Sequence, residues 1–198
     1  MKYLLNSAFY TIAELEAHIP FKFLPSLSFE SPSAKKEIQA RGLAKLKNNQ
    51  VSPESQALGE KFIPQIEASH LPNVSIRWID DRIGYGLFAQ EDLPTNTYAG
   101  EYTGTVRENN RRYFEPLNNY LYEYPVPDEI GRSFVIDATA GHLTRFINHS
   151  FKPNLKPYHV FHDGFYHLVF VTLRNISKGE ELSYDYGQNY WLLRDRPV

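Results

Sequence analysis

The chain has 198 residues, 42% of them hydrophobic, and 21 basic against 23 acidic side chains give a formal net charge of −2. That length carries one domain of ordinary size plus an additional segment, and the near-balanced charge provides no global basic field to hold nucleic acid. Cysteine is absent, which excludes disulfides and cysteine-ligated zinc from this chain.

Met1-Lys2-Tyr3-Leu4-Leu5 opens like a secretion signal, but Glu14 and Glu16 arrive before any sustained apolar stretch, so export by that route is not expected. No apolar run reaches the length of a membrane span. Thr11 to His18 reads as a helix, with Thr11 as N-cap and Glu14 closing a capping box. Pro20, Pro25 and Pro32 keep the next stretch from continuing as helix. Ser33 to Leu46 is a second helix, with Ile38, Leu43 and Leu46 as its apolar stripe and Gly42 as a weak point. Ser52-Pro53-Glu54-Ser55 is a third helix start, with proline in the first turn. Residues 1–73 are thus expected to form a helical N-terminal appendage.

From Val74 the pattern turns to strands. Val74 to Trp78 alternates, Asp80-Asp81-Arg82 marks a turn, and Tyr85 to Ala89 is a short strand. Thr97 to Val106 reads as one strand and Glu108 to Glu115 as a short helix. Tyr120 to Tyr124 and Phe134 to Asp137 alternate, and Gly141 to Asn148 is a helical turn. Tyr158 to Phe161 and Phe165 to Leu173, split by His162-Asp163-Gly164, form a hairpin. With 14 Tyr and 13 Phe suited to pleated surfaces, the class is mostly β with short helices in one domain over 74–198.

Two strings carry the chemistry. Arg145-Phe146-Ile147-Asn148-His149-Ser150 is followed by Pro153-Asn154, and Gly179-Glu180-Glu181-Leu182-Ser183-Tyr184-Asp185-Tyr186-Gly187 comes later. Upstream lie Gly84-Tyr85-Gly86 and Glu101-Tyr102-Thr103-Gly104. Taken alone, the first of these is a tight turn and Tyr102 a packed strand residue. His149 also raises a metal or triad possibility, but no HExxH, cysteine partner or GxSxG element supports either.

Together and in this order, from about Val74 to Trp191, these segments resemble SET-domain protein lysine methyltransferases, in particular compact, zinc-free members of bacterial or viral type. The resemblance implies several small sheets with a C-terminal pseudoknot, in which the Asn-His segment lies under the segment of the last tyrosine. It implies S-adenosylmethionine as methyl donor and no metal. Gly84, Tyr85, Gly86, Tyr120, Arg145, Asn148 and His149 then belong to the donor site. Trp191 is the candidate to cover the adenine, with closure of the core as its alternative role. Tyr186 matches the family's active-site tyrosine, Tyr102 a channel tyrosine, and Tyr184 the Phe/Tyr position linked to the number of methyls added. Where relatives have Gly-Asn, this chain has Gly141-His142, and His142 is read as structural.

The implied activity is S-adenosylmethionine-dependent protein-lysine N-methylation, with histone tails as the family's usual substrate. The alternatives are a catalytically weak SET-like interaction module and a methyltransferase of a non-protein amine. Partners are a lysine-containing protein or peptide, with neither nucleic acid nor membrane expected. The place of action is open: the cytoplasm for the organism's own proteins, or a host nucleus for a bacterial effector.

Overall fold

A computed structural model describes residues 3–109, 118–126 and 131–194. In chain order the first half contains β1 (Tyr3–Leu5), β2 (Ala8–Tyr10), α1 (Ile12–His18), β3 (Lys22–Phe23), β4 (Ser28–Phe29), α2 (Pro32–Lys47), α3 (Pro53–Glu67), β5 (Val74–Asp80), β6 (Gly84–Ala89), β7 (Tyr98–Glu101) and β8 (Thr105–Glu108). The second half contains β9 (Leu121–Tyr124), β10 (Phe134–Asp137), β11 (Ala140–Gly141), β12 (Asn148–His149), β13 (Leu155–His162), β14 (Phe165–Thr172) and β15 (Ser183–Tyr184). Two 3-10 turns span Leu143–Phe146 and Gln188–Leu193. The architecture is mostly strands in small sheets, ordered β2-β1-β5-β6, β4-β8-β10-β9 and β13-β14-β7, with the pairs β11-β3 and β12-β15.

The helices form where capping chemistry starts them. Thr11 N donates to Glu14 Oε2 at 2.7 Å while Glu14 N donates to Thr11 Oγ1 at 3.3 Å, closing the box on α1. Ser31 and Ser52 cap α2 and α3, each with proline in the first turn. The expected stripe on α2 is only partly buried: Ile38 is inaccessible, but Leu43 and Leu46 are exposed. Gly42 is no weak point. A Cβ there would sit 1.9 Å from the carbonyl oxygen of Gly164, so glycine lets α2 press on the β13–β14 turn.

Two expectations change, and a third is testable only at its first residues. Residues 1–73 are not purely a helical appendage, because β1 pairs with β5, β3 with β11 and β4 with β8. Strands of two or three residues carry no readable period. The strand expected over Thr97 to Val106 is two, because the backbone changes sheets: β7 pairs with β14 and β8 with β10. Between them Tyr102 N donates to Leu168 O at 2.7 Å and Thr103 Oγ1 to Leu24 O at 2.6 Å. Of the helix expected over Glu108 to Glu115, Glu108 ends β8, and 110–117 lie outside the described residues.

The hairpin is as expected, with Asp163 and Gly164 both at positive φ between the paired His162 and Phe165. Its faces separate two cores. Leu168 and Phe170 join the main core with Ile76, Leu87 and Ile136, while Val169 and Val171 pack with Phe62 and Ile66 of α3. Among the described residues, no helix is long and apolar enough to cross a membrane.

Candidate active site

The site is built where β12 meets β15. These strands run parallel, with Asn148 opposite Ser183 and His149 opposite Tyr184. Ser150 N donates to Tyr184 O at 3.1 Å, and Asn154 N to Ser183 O at 3.2 Å. The buried Asn154 side chain completes the lock: Nδ2 donates to Glu181 O at 2.7 Å, and Oδ1 accepts from Ser183 N at 2.8 Å. Asn148 Nδ2 donates to Glu181 Oε1 at 2.8 Å and to Tyr85 O at 3.3 Å, drawing the Gly84-Tyr85-Gly86 segment in. A Cβ on Gly86 would lie 2.8 Å from Glu181 Oε1 and 3.1 Å from Asn148 Nδ2, so glycine makes room for that contact. Gly84 stands apart; its φ of +80° is what calls for glycine.

Beside this lock lies a cluster of tyrosines. The Tyr184 ring sits 4.7 Å from Tyr186, 4.9 Å from Phe170 and 6.4 Å from Tyr122, and Tyr122 lies 5.9 Å from Tyr102. Tyr102 OH donates to Tyr120 O at 3.0 Å, and Tyr186 OH to Ile147 O at 2.9 Å. Each hydroxyl thus spends its proton on a carbonyl and keeps its lone pairs free to accept. Burial raises the pKa of Tyr102, Tyr184 and Tyr186 well above the ordinary tyrosine range and pushes Tyr122 up to about 12, so the cluster is neutral at physiological pH.

On the other side of Tyr186 stand His149 and the C-terminal turn. The His149 ring is 5.4 Å from Tyr186 and 4.9 Å from Trp191, and its Nδ1 accepts from Tyr186 N at 3.2 Å. Tyr186 and Trp191 are near-parallel at 13°. The Arg145 guanidinium covers the Tyr120 ring at 3.8 Å and donates to Thr139 O at 2.5 Å. Trp191 Nε1 and Arg145 Nε are buried with no hydrogen-bond partner among the described residues.

The fold therefore gathers Tyr102, Tyr120, Arg145, Asn148, His149, Tyr184, Tyr186 and Trp191 around one place, with Tyr85 and Gly86 held to it through Asn148. Sequence reasoning missed Tyr122, Tyr190, Asn154 and Glu181 as members. No group of three or more His, Asp or Glu side chains suited to a metal occurs among the described residues.

His142 sits behind the site, 3% exposed, its ring 5.1 Å from Phe23. Burial pulls its pKa down to about 4. The unfolded chain takes this proton near pH 6.5 and the folded chain only near pH 4, so the unfolded state binds more protons in between. Stability is expected to fall as pH drops through that window, by a contribution approaching about 3 kcal/mol. Denaturant titrations at several pH values check this, with His142→Asn expected to flatten the dependence.

Residues 84–187, a little over half of the chain, match the SET domain family. Histone-lysine N-methyltransferase EHMT1 of Homo sapiens is 33% identical over 119 residues, 58% of this chain and 9% of that protein. Histone-lysine N-methyltransferase 2D of Homo sapiens is 40% identical over 109 residues, 52% of this chain and 2% of that protein. Among solved structures, an active polycomb repressive complex 2 in the stimulated state superposes with a TM-score of 0.53 at 26% identity, covering 65% of this chain and 17% of that chain. KRYPTONITE in complex with mCHG DNA and SAH superposes with a TM-score of 0.51 at 30% identity, over 63% of this chain and 26% of that chain. The chain thus spans less than a tenth of either methyltransferase it is compared with. On the matched family segment and the small-sheet architecture that holds it, the chain belongs to the SET-domain family.

Proposed function

We propose that this protein is an S-adenosylmethionine-dependent protein-lysine N-methyltransferase acting on a histone tail or a similarly basic peptide. The observation that carries the reading is the β12–β15 lock, which sets His149 directly against a neutral tyrosine cluster while its neighbour Asn148 ties in the Tyr85 backbone. The printed names of the relatives, histone-lysine N-methyltransferases, support the substrate class.

A lysine amine, with a reference pKa of about 10.4, is neutral in roughly one molecule per thousand near pH 7.4. In this reading the walls of Tyr102, Tyr122, Tyr184 and Phe170 strip water from the ammonium and favour its neutral form. The hydroxyl lone pairs of Tyr102 and Tyr186 accept from the amine and orient it, which is catalysis by positioning. Once bound, the donor supplies an electrophilic methyl on a sulfonium. Asn148, His149 and Tyr120 line its site, Arg145 holds Tyr120 in place, and Trp191 covers it. Acceptor atoms of such a polar molecule would complete the two partnerless donors, Trp191 Nε1 and Arg145 Nε.

The test is transfer of labelled methyl to histone peptides by the purified protein, with the modified residue located by mass spectrometry. Donor binding without transfer to any protein or peptide would instead mark an interaction module. Calorimetric donor binding is expected to survive exhaustive chelation; its loss there would contradict a metal-free site.

Tyr184 bears on the product. Its ring is fixed between Phe170 and Tyr186, so its hydroxyl takes space that a methylated amine would need. The unmutated enzyme is expected to favour monomethylation, and Tyr184→Phe to shift the product toward di- and trimethyl-lysine. Product counting at long reaction times decides it, and abundant trimethyl-lysine from the unmutated enzyme would contradict it.

A further inference from the structure

The 3-10 turn Gln188–Leu193 carries Tyr190, 4.6 Å from Tyr186, and Trp191, 4.9 Å from His149. Among its other described side chains, Gln188 and Asn189 are exposed, and Leu192 is 75% exposed. The residue that ends it, Arg194, uses all three guanidinium nitrogens. Nη1 donates to Tyr190 O, Nη2 to Asn118 O and Nε to Asn119 Oδ1, each at 2.9 Å. The guanidinium also lies over the Tyr190 ring at 4.1 Å.

Asn118 is itself firmly held. Its Nδ2 donates to Asp137 Oδ1 and Thr139 Oγ1 at 3.1 Å, and its Oδ1 accepts from Tyr120 N at 2.9 Å. Asp137 is tied in turn to Arg107 Nε at 2.9 Å. The same turn ends in Tyr120, whose carbonyl receives the Tyr102 hydroxyl. One guanidinium therefore joins the C-terminal wall of the site to the wall that fixes Tyr120 and Tyr102.

We propose that Arg194 is a positioning residue that latches the 188–193 turn across Asn118-Asn119, holding Trp191 and Tyr190 closed over the donor side of the site. The functional readout rests on the methyltransferase reading; the closure itself does not. A planar fork with three acceptors in fixed directions cannot be reproduced by an ammonium. Arg194→Lys therefore leaves the latch impaired, and Asn119→Ala, which removes one acceptor of three, weakens it less than Arg194→Ala does.

Two measurements test this. Steady-state kinetics of Arg194→Ala should show donor KM raised about tenfold, the equivalent of about 1.4 kcal/mol, with kcat at saturating donor much less affected. Lowered kcat at unchanged donor KM overturns the inference. The second measurement needs no turnover: acrylamide quenching of Trp191 fluorescence in the donor-free protein, in a Trp78→Phe background that leaves Trp191 the only tryptophan. Quenching should rise in Arg194→Ala and stay raised in Arg194→Lys, with circular dichroism unchanged. Equal quenching in all variants overturns the latch. A wild-type protein that binds no donor overturns the methyltransferase reading instead, and the quenching result still decides the latch.

Discussion

Tyr186→Phe is expected to lower methyl transfer on the order of a hundredfold while leaving donor affinity unchanged. The substitution removes one oxygen and nothing else. The ring keeps its contacts with Tyr184, Tyr190, His149 and Trp191, so the donor side stays packed. What is lost is a hydroxyl whose proton is committed to Ile147 O at 2.9 Å and whose lone pairs face the amine in the proposed complex. Burial holds its pKa well above the ordinary range, so the residue is neutral at physiological pH, and in the proposed complex it serves as an acceptor. Single-turnover rates at saturating donor, read beside calorimetric donor affinity, separate the two effects. Wild-type transfer by the variant would remove Tyr186 from the reaction.

Asn154→Ala is expected to lower stability by about 3 kcal/mol, because Ser183 N and Glu181 O lose their side-chain partners inside the lock and each such loss costs roughly 1–3 kcal/mol. For a chain of this size that corresponds to a melting temperature lower by roughly 6–12 °C. Asn154→Asp is expected to be no better: it can still accept from Ser183 N but cannot donate to Glu181 O, and it adds a charge beside Glu180 and Glu181. Thermal melts by circular dichroism check both variants, and an unchanged melting temperature would show that the lock does not depend on Asn154.

How much of the fold and site was legible depended on how local each cause is. The α1 capping box lies within four consecutive residues, and the sequence reads it directly. The two-residue strands β3 and β4 do not announce themselves, since what makes them strands is a partner far along the chain, as in the Ser28–Thr105 hydroxyl pair at 3.0 Å. Gly42 reads as a weak helix position until the hairpin turn it touches is known. The candidate site was legible only through its family strings, whose resemblance points to Asn148, His149 and Tyr186 without any geometry. Tyr122 was not, because an alternating Tyr120-Leu121-Tyr122-Glu123-Tyr124 cannot say which ring meets the site. Tyr124 instead accepts from Tyr166 N at 3.0 Å within the core, while Tyr122 faces Tyr102 and Tyr184.

The short N-terminal strands have a consequence for solubility. β2, at three residues, is the outermost strand beside β1 and β5, and β4, at two, is the outermost strand beside β8. Very short outer strands offer little template for another chain to pair with. Removing residues 3–29 would leave β5 and β8, of seven and four residues, as open borders. Because the same cut removes the buried core residues Leu5, Leu15, Ile19 and Phe21, self-association and lost stability are to be looked for together in a shortened protein.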